Sequence, residues 1–428
     1  MSKKKWLEMV QKSRGTHGRK DLSMMKKLMD ALDHPERKAR YIHVAGTNGK
    51  GSTSAFLTSI LTEAGYSVGL FTSPHLESIC ERIRLNGELI DEAEFEHLME
   101  KVGMVALKIE AEVNRRYSAF ELITAAAFLY FAKKAPDVVL LEVGVGGRLD
   151  GTNVIPAENV YATVVTSIGL DHMGVLGDTE EAIAFEKAGI FKAGVPAFIG
   201  DFKPSIYAVF AERAAALNIP LYKVDSSKKV LAPKITPYFT QKFTYAQVPY
   251  EIQLLGIHQT ENAALAIIVA DYLAHHGFHL ELSTIQKGLR QAFWAGRMEK
   301  ILDHPLFFID GAHNEIAVRR LVETLKEQFE IDHFSFVIGM MKDKAYEKMI
   351  DLVWEMADRF IVVSPDEVRG FDAKAVAQQL AHRGKEAIYA QDAQEVRQMI
   401  EQDINKDAIW IQFGSLYLVG ALKKAFKK

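Results

Sequence analysis

Tyr41-Ile42-His43-Val44-Ala45-Gly46-Thr47-Asn48-Gly49-Lys50-Gly51-Ser52 is the stretch on which the reading of this chain turns. Residues of mostly strand-forming character run into a loop in which Gly46, Gly49 and Gly51 surround Lys50. A helix follows, with Phe56, Leu57, Ile60, Leu61 and Ala64 on one face and Gly65 as its stop signal. Glycines let backbone N–H groups turn toward an anion, a helix N-terminus adds partial positive charge, and a lysine reaches terminal phosphates. The segment therefore reads as a phosphate cradle. Its fit to the GxxxxGK(S/T) pattern is imperfect, because Val44 stands where the first glycine belongs and Gly51 separates Lys50 from Ser52. A glycine-rich turn beside a surface lysine is the ordinary alternative.

Working outward, 428 residues are too many for one ordinary core, and two or three domains are expected. A chain that is 48% hydrophobic and 25% charged has the composition of a globular protein. Its net charge of −3 gives no electrostatic case for nucleic acid or a membrane surface as partner. The single cysteine, Cys80, excludes a disulfide within the chain and suits a reducing compartment. Lys3-Lys4-Lys5 leads into Trp6-Leu7-Glu8-Met9 without an apolar stretch of signal-peptide length, and no segment has the apolar length of a membrane span. A cytoplasmic location is the expectation.

Residues 6–33 read as amphipathic helix broken at Gly15-Thr16-His17-Gly18-Arg19, either a plain loop or a small-molecule contact. After the phosphate loop, residues 67–72 read as a strand leading to Ser73-Pro74-His75-Leu76, and Asn86-Gly87 marks a tight hairpin within 82–90. Helices are expected over 91–116 and 118–134. The run Val138-Val139-Leu140-Leu141-Glu142-Val143 fits a parallel strand buried on both faces, with Glu142 as its anomaly. Further strands are expected at 161–168, leading to Leu170-Asp171-His172, and at 195–199, with a helix over 179–188 that carries Lys187. Alternating stretches at 242–248 and 250–255 suggest an antiparallel edge to this sheet. Helices at 258–275 and 282–293 precede a boundary near Arg297. Strands near 306–310, 334–339, 359–363, 387–390 and 408–413 then form a second α/β domain.

The expected fold is thus α/β in two domains. Residues 1–296 form a phosphate-loop, doubly wound, mainly parallel sheet with an antiparallel edge, and residues 297–428 a smaller Rossmann-like domain. In such sheets ligands sit beyond the carboxyl ends of strands, which is where Lys50, Ser73, Glu142 and His172 fall. Lysine, hydroxyl, buried carboxylate and histidine together suit ATP with Mg²⁺, and the histidine suits Mn²⁺ as well. Each residue alone has a plainer reading: a paired strand-end acid, a hydrogen-bonded loop histidine, a solvated lysine. Only their convergence argues for a site. In the second domain, Phe307-Phe308-Ile309-Asp310-Gly311-Ala312-His313-Asn314 again places polar groups at a carboxyl edge, and Arg297 is placed for a phosphate contact by hinge closure or is an ordinary surface arginine.

These residues resemble the folylpolyglutamate synthases and dihydrofolate synthases, a branch of the Mur ligase superfamily. Gly46-Thr47-Asn48-Gly49-Lys50-Gly51-Ser52 is similar to that family's phosphate loop, which departs from the general pattern in the same way. The resemblance continues through Ser73-Pro74-His75-Leu76, Glu81-Arg82-Ile83, Phe120-Glu121, Leu141-Glu142-Val143-Gly144, Gly147-Arg148-Leu149-Asp150, Thr152-Asn153 and Leu170-Asp171-His172. It goes on through Glu186-Lys187-Ala188-Gly189-Ile190, His258-Gln259, Asn262-Ala263-Ala264, Gly296-Arg297 and Asp310–Asn314, in order across both domains and with no departure at these positions.

The resemblance implies that Lys50 and the loop around it, Gly46 to Ser52, hold the ATP phosphates. Ser73, Glu142 and His172 would coordinate magnesium, two ions in the family. Lys187 resembles the family's carbamylated lysine, in which CO2 turns a cation that would repel the metal into an anion that helps hold it. Lys50, Glu142, His172 and Lys187 are the expected catalytic set. Asn262, Arg297, Asp310 and His313 look like nucleotide contacts; Arg82, Phe120 and Arg148 are the expected substrate residues, the first two within the segments expected to meet the acceptor, around residues 15–20, 73–84 and 118–123. The implied activity is ADP-forming ligation of L-glutamate to a folate or to dihydropteroate through an acyl phosphate; a monomer without nucleic-acid or membrane partners is expected. A ligase for UDP-linked peptidoglycan precursors and a non-ligase nucleotide-binding module are the rivals. No residue decides between the two folate acceptors, and the reading leans to an enzyme that uses both.

Overall fold

The computed structural model describes residues 21–231, 239–342, 346–366 and 370–427. The expected polar break at residues 15–19 lies outside them. The chain divides into two compact units, residues 1–75, 79–227 and 261–292 in the first and 76–78, 228–260 and 293–428 in the second.

The first unit holds an eight-stranded sheet: β1 (Tyr41–Ala45), β2 (Val68–Phe71), β3 (Ile83–Leu85), β4 (Glu88–Leu89), β5 (Val138–Glu142), β6 (Val160–Val165), β7 (Ala197–Ile199) and β8 (Leu221–Lys223), in the order β4-β3-β2-β5-β1-β6-β7-β8. From β2 to β8 every pairing is parallel. β1, β2 and β5 are buried at every residue, as strands covered by helices on both faces must be. The antiparallel edge is the β3–β4 hairpin, where Leu85 faces Glu88 and the two-residue loop Asn86-Gly87 has φ of 53° and 84°, the left-handed values a tight hairpin turn requires.

Helices cover the sheet. In Lys50–Glu63 the C-terminus closes with Tyr66 N–H on Leu61 C=O and Gly65 N–H on Thr62 C=O, the paired bonds of a glycine-terminated helix. Ala119–Lys134 starts with a reciprocal cap: Glu121 N–H donates to Ser118 Oγ while Glu121 Oε2 accepts from Ser118 N–H. Such a cap contributes about 1 kcal/mol. This helix buries Leu122, Ile123, Phe128 and Phe131, with Phe128 edge-on to Tyr41 at 5.8 Å.

The second unit contains two sheets. β9 (Lys229–Leu231), β10 (Gln241–Tyr245) and β11 (Val248–Ile252) form a separate antiparallel sheet in the order β11-β10-β9. The expectation that residues 242–255 edge the first sheet is therefore corrected. Their alternating burial matches a sheet with one wet face, but among the described residues they pair only with each other and β9. The six-stranded sheet, β12 (Glu299–Asp303), β13 (Leu306–Ile309), β14 (Phe334–Ile338), β15 (Ala357–Val363), β16 (Glu386–Ala390) and β17 (Ile409–Phe413), runs β12-β13-β17-β14-β15-β16, parallel except for β12. Its two faces pack separate apolar clusters, one around Phe308, Phe336 and Phe413 and the other around Phe307, Ile309 and Trp410.

Candidate active site

The phosphate loop leaves β1 at Gly46 (φ 153°) and enters the helix Lys50–Glu63 through Gly49 (φ 83°), a conformation open to glycine at no steric cost. Residues after β6 hold the loop in shape. Thr47 N–H donates to Ser167 C=O at 2.8 Å, Asn48 N–H to Ser167 Oγ at 2.9 Å, and Thr166 Oγ to Asn48 C=O at 2.6 Å. Lys50 Nζ lies over the loop, donating to the carbonyls of Gly46 at 3.0 Å and Thr47 at 3.2 Å. Gly51 and the buried Ser52 form the helix's first turn. Opposite Gly49 stands the amide of Asn262, so close that a side chain at Gly49 would strike it.

β2, β5, β1 and β6 are consecutive neighbours in the sheet, so the segments after their carboxyl ends lie along one edge. There Glu142 is 4% exposed and its Oε2 accepts from the backbone N–H of Ser73 at 3.1 Å. Lys187, 3% exposed on the helix Glu180–Ala188, has its pKa pushed down to about 7. Burial is the main cause and the Lys50 ammonium adds to it, against the pull of Asp171 and Asp150. A lysine shifted in this direction has its neutral amine accessible near physiological pH. His172 is exposed in a left-handed conformation (φ 52°), its N–H donating to Asp171 Oδ1 at 2.9 Å.

Among the described residues no three His, Cys, Asp or Glu side chains gather closely enough to hold a metal ion. The Ser73–Glu142 pair offers hard oxygens. That fits Mg²⁺, which takes one or two carboxylates and completes its shell with water and phosphate oxygens. It does not make an all-protein metal cage.

Each of the expected acceptor residues has a described partner. Arg82 Nε donates to His75 Nδ1 at 3.0 Å, and the Phe120 ring packs over Gly144, where an added Cβ would meet it at 2.6 Å. Arg148 is held on Glu186, with Nη2 to Oε1 at 2.7 Å, beside the exposed Phe185.

In the second unit, Asp310 follows β13 and is 7% exposed. Its Oδ2 accepts from Met298 N–H at 2.9 Å and its Oδ1 from Ala312 N–H at 2.8 Å. Burial raises its pKa, while Arg297 and these two N–H groups oppose the rise. Arg297 Nη1 donates to Gly296 C=O at 3.0 Å, and His313 Nδ1 lies 2.8 Å from Gly311 C=O. His258, whose buried Nδ1 has no partner among the described residues, is pushed down to about pKa 3 by burial and by Arg320 and Arg297. It is neutral at physiological pH.

Sequence reasoning did not find Thr166 and Ser167, whose only sequence cue was their place directly after a buried strand. Nor did it give a role to His43 or Asp150.

The model of the Mur ligase middle domain matches residues 44–270, and that of the Mur ligase glutamate ligase domain matches 296–416. The Bacillus subtilis dihydrofolate synthase/folylpolyglutamate synthase is 38% identical over 95% of each chain. The Lacticaseibacillus casei folylpolyglutamate synthase is 34% identical over 93% of this chain and 92% of the relative. Among solved structures, the Mycobacterium tuberculosis folylpolyglutamate synthase complexed with ADP and AMPPCP superposes with a TM-score of 0.86 at 28% identity, covering 99% of both chains. The phosphate loop, the strand-end carboxylate and full-length similarity agree: this chain belongs to the folylpolyglutamate synthase and dihydrofolate synthase family of the Mur ligase superfamily.

Proposed function

We propose that the protein is an ATP-dependent, ADP-forming ligase that joins the amino group of L-glutamate to the carboxylate of a folate, and to that of dihydropteroate as well. The observation that carries the reading is the alignment along one sheet edge of the Gly46–Ser52 loop with the buried Glu142–Ser73 pair. The Bacillus subtilis relative is a dihydrofolate synthase/folylpolyglutamate synthase, and this favours the wider acceptor range.

In this reading the acceptor carboxylate attacks the γ-phosphate, giving an acyl phosphate and ADP. The glutamate amine then attacks the acyl carbon, and the tetrahedral intermediate collapses to amide and inorganic phosphate as the nitrogen loses its proton. The demand is chiefly electrostatic, since charge spreads over phosphoryl oxygens and then an oxyanion. The N–H groups of Gly49, Gly51 and Ser52 face the anion at the helix start, and Lys50 exchanges its two loop carbonyls for phosphate oxygens. Ser73 and Glu142 would hold a magnesium ion, with His172 and Lys187 as further donors, and the ion would supply neutralisation of phosphoryl charge. Lys187 serves as a carbamate, and its depressed pKa supports this because only a neutral amine adds to CO2. Within the second unit, Asp310 braces the turn that presents Arg297, a guanidinium suited to phosphate oxygens.

The test is ADP release from purified protein with ATP, Mg²⁺ and glutamate, comparing dihydropteroate with tetrahydrofolate. Turnover with both supports the proposal, and turnover with one narrows it to that acceptor. No glutamate-dependent turnover with either overturns it and turns attention to peptidoglycan precursors.

A further inference from the structure

His43 lies in the centre of the first sheet, fully buried on β1, and no step of the ligation uses it. Its Nε2 is 2.9 Å from Thr152 Oγ. That hydroxyl is also 2.6 Å from Asp150 Oδ1, which in addition accepts the Thr152 N–H at 3.0 Å. The other oxygen of Asp150 accepts the N–H of Val145 at 3.0 Å. A hydroxyl has one hydrogen. Directed at the carboxylate, it leaves only a lone pair for the imidazole, so His43 must carry its proton on Nε2. Nδ1 is then an acceptor, and it is buried with no partner among the described residues. Burial, helped by the nearby Lys192 cation, keeps the ring neutral.

The chain His43–Thr152–Asp150 ends on the loop that follows Glu142. The next residue, Asn153, donates to the carbonyls of Arg148 at 3.1 Å and Gly189 at 3.0 Å, and accepts from Lys192 at 2.9 Å. One short turn thus ties three things together: the strand feeding the phosphate loop, the loop after the strand-end carboxylate, and the end of the helix that carries Lys187.

We propose that His43 is a positioning residue for ligation, acting through Thr152 and Asp150 as a fixed Nε2–H donor that sets the geometry of the loop after Glu142. His43 does not exchange protons with substrate in this role. Its donor direction orients the Thr152 hydroxyl, which orients Asp150, which holds Val145. The kinetic part of the proposal rests on the ligase reading above.

The experiment combines ¹⁵N–¹H spectra of the histidine-labelled full chain with ADP-release kinetics of His43→Leu, His43→Gln and Thr152→Val. The His43 signal is assigned as the one missing from His43→Gln. The expected spectrum at neutral pH is that of a neutral ring protonated on Nε2. His43→Leu and Thr152→Val are expected to lower kcat about 10- to 100-fold, as loss of a supporting contact around a site does, with KM for ATP changed less than about threefold. His43→Gln, whose amide N–H can reach the same hydroxyl, should recover part of the loss. A charged or Nδ1-protonated ring, unchanged kcat in folded His43→Leu, or a glutamine variant no better than leucine would each overturn the proposal. Should His43→Leu fail to fold, the wild-type spectrum and Thr152→Val decide. Absence of turnover in the wild type would instead overturn the ligase reading, and the spectrum alone would then judge the hydrogen-bonded chain.

Discussion

The backbone N–H of Ser73 donates to Oε2 of Glu142 at 3.1 Å, so one buried carboxylate joins the ends of β2 and β5. Glu142→Gln keeps an acceptor oxygen for that N–H while it removes the charge and replaces the second oxygen with an NH2 donor. The variant should keep a melting temperature within a few degrees of wild type and lose at least about 100-fold in ADP release, since electrostatic groups of this kind supply factors of that size. Unchanged magnesium dependence in the variant would place the metal elsewhere.

Lys187 provides a second test, with a definite pH direction. Its folded pKa is about 7, against about 10.4 for a free lysine. Between these values the unfolded chain binds the proton and the folded chain does not, so stability rises with pH, by up to about 1.4 kcal/mol per unit. Below pH 7 both forms are protonated and this dependence ends. Lys187→Met should remove the slope and be more stable than wild type near neutrality, while magnesium-dependent turnover falls. Denaturant titrations at pH 7, 8 and 9 in CO2-depleted buffer check the first outcome. Wild-type activity in the variant would sink the carbamate assignment.

The parallel strands were legible because burial on both faces leaves an unbroken apolar run, as in Val138–Glu142, and because parallel order puts the carboxyl ends on one edge. Asn86-Gly87 announced its hairpin through turn chemistry. The helix Pro204–Leu217 went unread because it is alanine-rich and buries only Ile206, Phe210 and Ala214. β12 is a short strand with no fully buried residue, and nothing in Glu299–Asp303 distinguishes it from a loop. The pairing of β10 with β9 depends on tertiary partners that local alternation does not name. In the site, groups at strand ends could be listed from sequence. The hydrogen bond of Ser167 Oγ to Asn48 spans 119 residues and could not.

Gly49 tests the loop itself. Its φ of 83° and the Asn262 amide facing it both exclude a side chain. Gly49→Ala should destabilise the fold by at least about 1–2 kcal/mol, the cost of a left-handed alanine before the clash with Asn262 is added. ATP binding, measured by calorimetry, should weaken at least about tenfold, because the displaced N–H groups no longer converge on the anion. ATP affinity equal to wild type would show that nucleotide is held elsewhere.

Asp403 separates stability from catalysis. It is 8% exposed in the second unit and takes three donors: Arg359 Nη2, Trp410 Nε1 at 2.9 Å and Asn405 N–H at 3.1 Å. Arg359 also stacks on Trp410 at 4.7 Å and donates from Nε to Ser335 Oγ at 3.0 Å, so the guanidinium is fixed from three sides. Asp403→Ala leaves that cation and the indole N–H without their acceptor. The expected loss is about 2–4 kcal/mol, below the full cost of breaking a buried pair because Arg359 keeps some contact with water. Asp403→Asn, which retains an acceptor oxygen, should fall between. Denaturation followed by tryptophan fluorescence should shift for both variants, while ADP release per folded molecule stays at the wild-type value. A loss of turnover without a loss of stability would show that Asp403 acts on the reaction and not on the fold.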